Sequence, residues 1–542
     1  MARAFRLRRS RRTCFWKDTA QPYRKGAGTL AVRSAAETGR GRTLERTLKP
    51  VDSDAILSPG ACRVSEVKKK TGSQRTVSRP PRTLWYMGVK ARVLPGFLDR
   101  VLAAEVPRGG TVLDLMSGTG VVAAHCADRY RVFTNDAQEY SQVIARSLVE
   151  HDPEDKDTFL RSVDARSDLF RAYKKNLTAL ERIYAKPRRV EQSLLERFEK
   201  EGRDASWARD YRAFLETPGG YYCSDVPSNG HLLYAGAGKL LSEASIARYR
   251  ANPRRWPACL MTSYYANIYF GLRQALEIDS LRAAIDELES GGPHLERKRV
   301  HYLSALLHAA SVSTSGTSHF AQPRHLTKDT ELRAMARRRK TDVFSLFEEF
   351  SREILLTVRR TRYAEGNRCF VGDYRELVEG SQERCRFRLP ERLDLVYLDP
   401  PYTADHYSRF YHVLEVLARY DYPVLEKDSS GRVVRGRYPE IQQRFRSGFC
   451  RSRSVEGEFR QVIRAAAGSG AKLVVSYAWP NGLLLKQYAK NFPGTKPIRR
   501  FESLCRESYR KVVTERLPMM HSGQGDRNLA TEELLLICSG PR

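Results

Sequence analysis

Three times in this 542-residue chain a short apolar run carries an aspartate at or near its end and then turns. The runs are Thr111-Val112-Leu113-Asp114-Leu115, Arg131-Val132-Phe133-Thr134-Asn135-Asp136 and Asp394-Leu395-Val396-Tyr397-Leu398-Asp399. Stretches this short, apolar and bounded by turn residues read as buried strands rather than helices. The first is followed by Ser117-Gly118-Thr119-Gly120 and then by residues 121–127, which start a helix. Strand, glycine-rich turn, helix and strand open a doubly wound parallel sheet. Further strand signals stand at 368–373, 472–477 and 533–538. The expected fold class is α/β, a Rossmann-like sheet with helices on both faces.

Residues 151–359 break this alternation. They read as helices over 169–185, 190–215, 264–288, 296–310 and 330–358, with loops rich in Gly, Pro and Ser at 217–230 and 311–323. The economical organisation is one sheet domain, 81–150 and 360–542, interrupted by a mainly helical insertion. Residues 1–80 precede it with 20 Lys/Arg against 6 Asp/Glu and no sustained period, so they read as a disordered basic arm. Met87 is the first methionine after Met1, and a misassigned start is the competing explanation of that arm.

The chain carries a formal charge of +31, of which the arm supplies 14, leaving +17 for residues 81–542. Such an excess suits a polyanionic partner, most simply nucleic acid. Charge alone does not separate nucleic acid from a membrane surface, but no window nears the roughly 18 apolar residues of a membrane span. The twin arginines Arg11 and Arg12 lack a following apolar region, so export is not expected and a cytoplasmic location is. Ten cysteines without a Cys-x-x-Cys pair argue against a disulfide framework or a zinc ribbon. His319, His325 and His521 show no metal-ligand spacing, and no metal is expected.

Two motifs carry chemistry. In Asp114-x-x-x-Gly118-x-Gly120, the glycines let the backbone approach a ligand closely, while the acid orients polar groups at the strand end. The spacing is not Gly-x-Gly-x-x-Gly, and no Gly-Lys-Ser/Thr follows, which excludes a P-loop. An ordinary tight turn is the bland alternative. Asp136, at the next strand end, stands where a carboxylate accepts two ribose hydroxyls. The second motif is Asp399-Pro400-Pro401-Tyr402. Its prolines extend the backbone and remove two N–H donors. The Pro400 carbonyl and the Asp399 carboxylate can then face one exocyclic amine and accept both its hydrogens, while Tyr402 offers a face for a base. Here the alternative is a Pro-rich strand exit with a packed Tyr.

Together these motifs resemble those of S-adenosylmethionine-dependent amino-methyltransferases acting on nucleic acid. Tyr86-Met87-Gly88-Val89-Lys90, ahead of the glycine-rich turn, resembles the aromatic-x-Gly-x-Lys element that opens adenine-N6 DNA methylases of the alpha group. In that group a target-recognition insertion separates the two motif halves. The resemblance covers roughly 81–150 and 366–542. It implies that Tyr86 and Lys90 enclose the methionine end of the cofactor, S-adenosylmethionine. Asp114, Ser117, Gly118 and Gly120 would form the main cradle, Asp136 would hold ribose, and Asp373 the adenine amine of the cofactor. Asp399, Pro400, Pro401 and Tyr402 would carry catalysis. Met116 stands where the group usually has Phe, and Val89 where it has a small residue.

The implied activity is site-specific methylation of adenine N6 in double-stranded DNA, with the base flipped, in a setting that suits a cognate restriction endonuclease as a further partner. One rival is an RNA base amino-methyltransferase. Such enzymes usually place the motifs closer than the 285 positions between Asp114 and Asp399. Another is a non-catalytic DNA-binding protein on the same fold. Cytosine-N4 enzymes typically carry Ser at the position of Asp399, and the lack of a Pro-Cys dipeptide speaks against cytosine-C5 chemistry.

Weaker candidates remain. Residues 324–340 hold seven Lys/Arg, and Arg324, Arg337, Arg338, Arg339 and Lys340 could lie against DNA phosphates or form a solvated helix face. Tyr264, Tyr265, Tyr269 and Phe270 could stack on DNA, or belong to a half-buried helix start. His406, Tyr407, Arg409 and Tyr411 could form a lip over the flipped base, or serve capping and packing.

Overall fold

The computed structural model describes residue 90 and residues 94–542, apart from 165–166, 203, 217–236, 238–239, 241, 289–292, 318, 382–383, 390–391 and 523–527. Tyr86 and the basic arm 1–80 lie outside the described residues. Everything described falls in one compact unit, Arg75–Arg542.

Seven strands form the central sheet: β1 (Thr111–Asp114), β2 (Arg131–Asp136), β3 (Arg368–Val371), β6 (Leu395–Leu398), β7 (Lys472–Trp479), β8 (Tyr509–Ser522) and β9 (Asn528–Pro541). A separate antiparallel ribbon pairs β4 (Val378–Gly380) with β5 (Cys385–Phe387). The order across the sheet is β3-β2-β1-β6-β7-β9-β8. The first five strands run parallel, and β9 and β8 close the edge antiparallel.

Alternation along the strands sorts side chains onto two faces. Val112, Val132, Leu395, Tyr397 and Val474 join a core shared with the helices of the insertion. Leu113, Phe133, Val396, Leu398 and Val475 join the opposite core, with the helices Val455–Gly468 and Pro497–Arg506. Strands covered on both faces need apolar residues throughout, which explains the uninterrupted runs of β1 and β6. β8 escaped the sequence reading because it is an edge strand. Arg510, Lys511, Glu515 and Arg516 interrupt its apolar residues, as protection of an exposed edge requires.

The insertion is helical, with more breaks than its periodicity suggested. The run over 190–215 divides into Ala185–Glu201 and Ala205–Glu216. The run over 264–288 becomes Leu260–Tyr265 and Leu272–Glu287, separated where Asn267 takes a φ of 61°. That over 330–358 becomes Asp329–Arg339 and Val343–Arg360, restarted by Asp342, whose side chain accepts from the Ser345 amide at 2.7 Å. Such a cap contributes about 1 kcal/mol, enough to place a helix start inside a periodic run.

Asp279 ties the insertion to the chain that follows β6. Buried on Leu272–Glu287, it accepts from the Met261 and Thr262 amides, the Thr262 hydroxyl and the Tyr420 hydroxyl, at 2.6–2.9 Å. Burial raises its carboxyl to about 6, with those donors pulling it back down.

Strand order reverses between β1 and β6: the chain runs outward from β1 to β2 and β3, then returns to the other side. Ligands of open α/β sheets bind outside the carboxyl ends of strands at such a switch point. Asp114 ends β1, Asp136 ends β2, and Asp399 follows β6 at this edge.

Candidate active site

A cavity opens at the switch point, with about 1050 Å³ of empty space including its mouth. Lys90, Asp114, Ser117, Gly118, Asp136 and the whole of Asp399-Pro400-Pro401-Tyr402 line it. Residues 285 positions apart thus line one cavity.

The glycine-rich turn is shaped by its conformation. Gly118 and Gly120 have φ of 52° and 68°, where a Cβ is strained. At Gly120 a Cβ would also stand 3.0 Å from the Ala145 Cα. Gly120 therefore serves close packing and does not line the cavity itself. Asp136 accepts from the Gly118 amide and the Gln138 amide, both at 3.0 Å, so the acid expected at ribose also braces the turn. Ser141 donates to the Gly118 carbonyl, and Gln142 donates to Ser117 Oγ at 3.1 Å. Burial pushes the Asp136 carboxyl up to about 6 against these donors.

Asp114 differs. It is buried, and neither carboxylate oxygen forms a hydrogen bond among the described residues. Burial, then the charges of Asp399 and Asp136, hold its carboxyl well above the usual range; the nearby Ala123 amide opposes this weakly. A buried acid short of donors and cations fits a ligand that brings them.

On the opposite wall Lys90 sits between two carboxylates. Its Nζ is 3.0 Å from Asp399 Oδ1 and 3.0 Å from Glu533 Oε1. Desolvation alone would lower the ammonium, yet Asp399 and Glu533 outweigh it and hold it well above its ordinary value. Asp399 is raised to about 6 by burial, with Lys90 pulling down and Glu533 pushing up. Glu533, on β9, also accepts from Ser476 on β7. Lys90 Nζ lies 5.8 Å from the Tyr402 ring centroid, and that ring meets Tyr477 edge-on at 6.5 Å. The Tyr402 phenol is pushed up to about 12, chiefly by burial.

Other expected residues fare differently. Asp373 caps the turn Tyr374–Leu377, and Arg375 holds its carboxylate at 3.0 Å. It borders an adjoining groove, whereas its neighbours Gly372 and Tyr374 line the cavity. His406 and Tyr407 line the cavity as well, while Tyr411 is buried.

The basic run is largely committed internally. Arg339 is buried, bonded to Ser315, Tyr211 and Asn267, and so cannot meet a phosphate; this corrects its assignment. Lys340 pairs with Glu199, and Arg324 pairs with Glu331 and bonds the Ser315 carbonyl. Arg338 is half-buried, while Arg337 and the paired Lys340 are exposed. The helix buries Leu332, Met335 and Ala336, drawing Arg339 into the same face. Tyr264, Tyr265, Tyr269 and Phe270 are fully buried and belong to the core rather than to a stacking surface.

Sequence reading missed Glu533, Gln142, Ser141 and the residues 445–447 that complete the cavity wall. Glu533 carried one signal: with Glu532 it directly precedes the apolar run 534–538, as Asp394 precedes the run 395–398.

Comparison with known proteins follows this geometry. Residues 377–435, which contain Asp399 to Tyr402, match the family model of D12 class N6 adenine-specific DNA methyltransferases. Over that segment the chain resembles the D12 class. Modification methylase LlaI of Lactococcus lactis subsp. lactis is 25% identical over 350 residues, covering 65% of this chain and 40% of that protein. Type II methyltransferase M.FokI of Planomicrobium okeanokoites is 28% identical over 122 residues, covering 22% of this chain and 17% of that one. The chain spans less than half the length of these curated relatives. No solved structure matches significantly. The mostly parallel seven-stranded sheet agrees with a methyltransferase fold.

Proposed function

We propose that this chain transfers a methyl group from S-adenosylmethionine to the N6 amine of adenine in duplex DNA. The observation that carries the reading is the Asp399 carboxylate, held by Lys90 on the wall of a cavity whose other wall is the Asp114 to Asp136 cradle. The D12-class match over the same motif supports it.

The residues fit the cofactor. Asp114 is a buried acid without a hydrogen-bond donor among the described residues, and an ammonium or sulfonium group would supply positive charge beside it, on a lining where Lys90 is already engaged by Asp399. Gly118 would allow close backbone approach, and Asp136 retains lone pairs for ribose. When bound, the cofactor supplies an activated methyl group on a positively charged sulfur.

The chain's residues would do the rest. An adenine N6 lone pair is delocalised into the ring and attacks poorly. Asp399 and the Pro400 carbonyl, accepting its two hydrogens, favour the pyramidal and more nucleophilic amine and stabilise the positive charge that develops on it. Lys90 fixes the carboxylate for this task, and Tyr402 gives the base a face to stack on. Because N6 chemistry needs the base outside the stack, the target adenine would be flipped into the cavity. The helical residues 151–359 would read the site, with 81–150 and 360–542 as the two halves of the catalytic domain. A cytoplasmic location and a cognate restriction endonuclease belong to the same proposal, the latter suggested by the names of the relatives, a modification methylase and a type II methyltransferase.

The test is transfer of labelled methyl groups to duplex DNA and to RNA of the same sequence. Label confined to DNA is expected; label confined to RNA would replace this reading with the RNA one.

A further inference from the structure

One segment at the cavity mouth belongs to neither motif. Between Ile441 and Ser454 the chain carries four arginines and no acidic residue. Two short 3-10 turns, Ile441–Gln443 and Gly448–Cys450, fold it back on itself. Its base is fixed: Phe449 is fully buried, with its ring 4.9 Å from Phe459 and 5.9 Å from Tyr374. Four residues earlier, Phe445 remains 37% exposed. A single exposed aromatic is ordinary on a protein surface; Phe445 is distinguished by its place on the cavity wall.

Phe445 and Arg446 line the catalytic cavity and also border the adjoining groove, where Arg444, Arg451 and His406 join them. Arg444 is engaged by Glu426 at 2.7 Å. Arg446 and Arg451 are exposed, and no carboxylate pairs with either among the described residues. Their field is felt locally: the His406 imidazole is held below its usual range by burial, then by Arg446, Arg444, Arg451 and Arg409. In contrast to the paired members of the run 324–340, the Arg446 and Arg451 guanidinium groups have no carboxylate partner among the described residues; Arg446 lines the cavity, and Arg451 borders the groove beside it.

We infer that residues 441–453 form the duplex-binding rim of the site, with Arg446 and Arg451 on backbone phosphates beside the target base and Phe445 supporting that base at the mouth. The inference rests on the proposed reading of the chain as a duplex-DNA methyltransferase. Arginines bind phosphate without reading sequence, and an aromatic face accepts any base, so the rim positions the DNA and leaves recognition to other residues.

The full chain is tested as R446Q/R451Q, with R386Q/R388Q on the β4–β5 ribbon as a control of equal charge. Binding of a fluorescent random-sequence 30-base-pair duplex is followed against NaCl. The rim variant should lose about 1.8 from the slope of log K against log salt, at about 0.9 per phosphate contact. The ribbon variant should keep the wild-type slope. An unchanged slope in the rim variant, or an equal loss in the ribbon variant, overturns the phosphate assignment. Phe445→Ala should lower kcat on plasmid DNA about tenfold, as loss of base stacking does, and Phe445→Trp should restore it. Full activity of Phe445→Ala overturns its role. Should the wild-type chain methylate no DNA, the functional reading fails on that measurement alone, while the salt slopes still decide the rim.

Discussion

Glu533→Gln should shift the acid limb of the pH–rate profile to lower pH, although Glu533 lies on a strand that neither motif includes. The limb belongs to Asp399, which must be ionised to accept the hydrogens of the amine. Its carboxyl is raised to about 6, so the rate should fall as pH drops through that value and Asp399 takes up a proton. Glu533 is one cause of the raised value; removing its charge lets Asp399 stay ionised further into acid. The geometry sets the size. Both carboxylate oxygens lie 3.0 Å from Lys90 Nζ, so they are at most 6.0 Å apart (3.0 + 3.0). At an effective dielectric of about 20, two unit charges at that distance repel by about 2.8 kcal/mol, or about 2 pKa units. Asp399 keeps 20% of its side chain open to the cavity, so solvent screening brings the expected displacement to about 1–2 units. The assay is kcat/KM for DNA against pH. Lys90→Met is the opposite perturbation, because loss of the ammonium moves the limb upward. A Glu533→Gln profile superimposable on wild type, or displaced upward, would refute the coupling through Lys90.

Other consequences concern single residues. Asp114→Asn should weaken S-adenosylmethionine binding about 10- to 100-fold by calorimetry, the range for a charge-assisted hydrogen bond, with little change in thermal stability. Unaltered affinity would remove Asp114 from the cradle. Arg339→Met should destabilise the fold by about 3 kcal/mol in urea denaturation, since buried polar partners lose their cation, and leave the salt dependence of DNA binding unchanged. A changed salt slope in a stable variant would return Arg339 to the DNA surface. Deleting residues 1–80 should reduce non-specific, salt-sensitive DNA binding and spare methyl transfer. Lost turnover in a folded truncation would show that the arm serves catalysis.

The sheet was legible because burial on both faces writes itself as continuous apolar runs. β1, β2 and β6 each also end in an acid at the edge where ligands bind. Asp114 and Asp399 could therefore be assigned to one cavity across 285 intervening positions. The edge strand β8 was not legible, for the same physics in reverse: protection of an open edge demands charges that erase the run. Helices were found where apolar period dominated, and their breaks were missed where a single cap such as Asp342 outweighed it. Arg339 shows the limit of reading charge. Seven basic residues look like a phosphate surface, yet helical geometry turns one of every few inward, where hydroxyl and amide oxygens receive it. The roles of Glu533 and Phe445 were not legible, because they come from proximity to Lys90 and to the cavity, neither of which leaves a spacing in the chain.

The central claim is that Asp399 acts on the exocyclic amine of adenine. The direct measurement is digestion of duplex DNA to nucleosides after incubation with labelled S-adenosylmethionine, followed by chromatography, for wild type and Asp399→Ala. Label in N6-methyladenine with wild type, and none with a folded Asp399→Ala chain that still binds cofactor, is the expected result. Label in N4-methylcytosine, or N6-methyladenine formed equally by the variant, would contradict it.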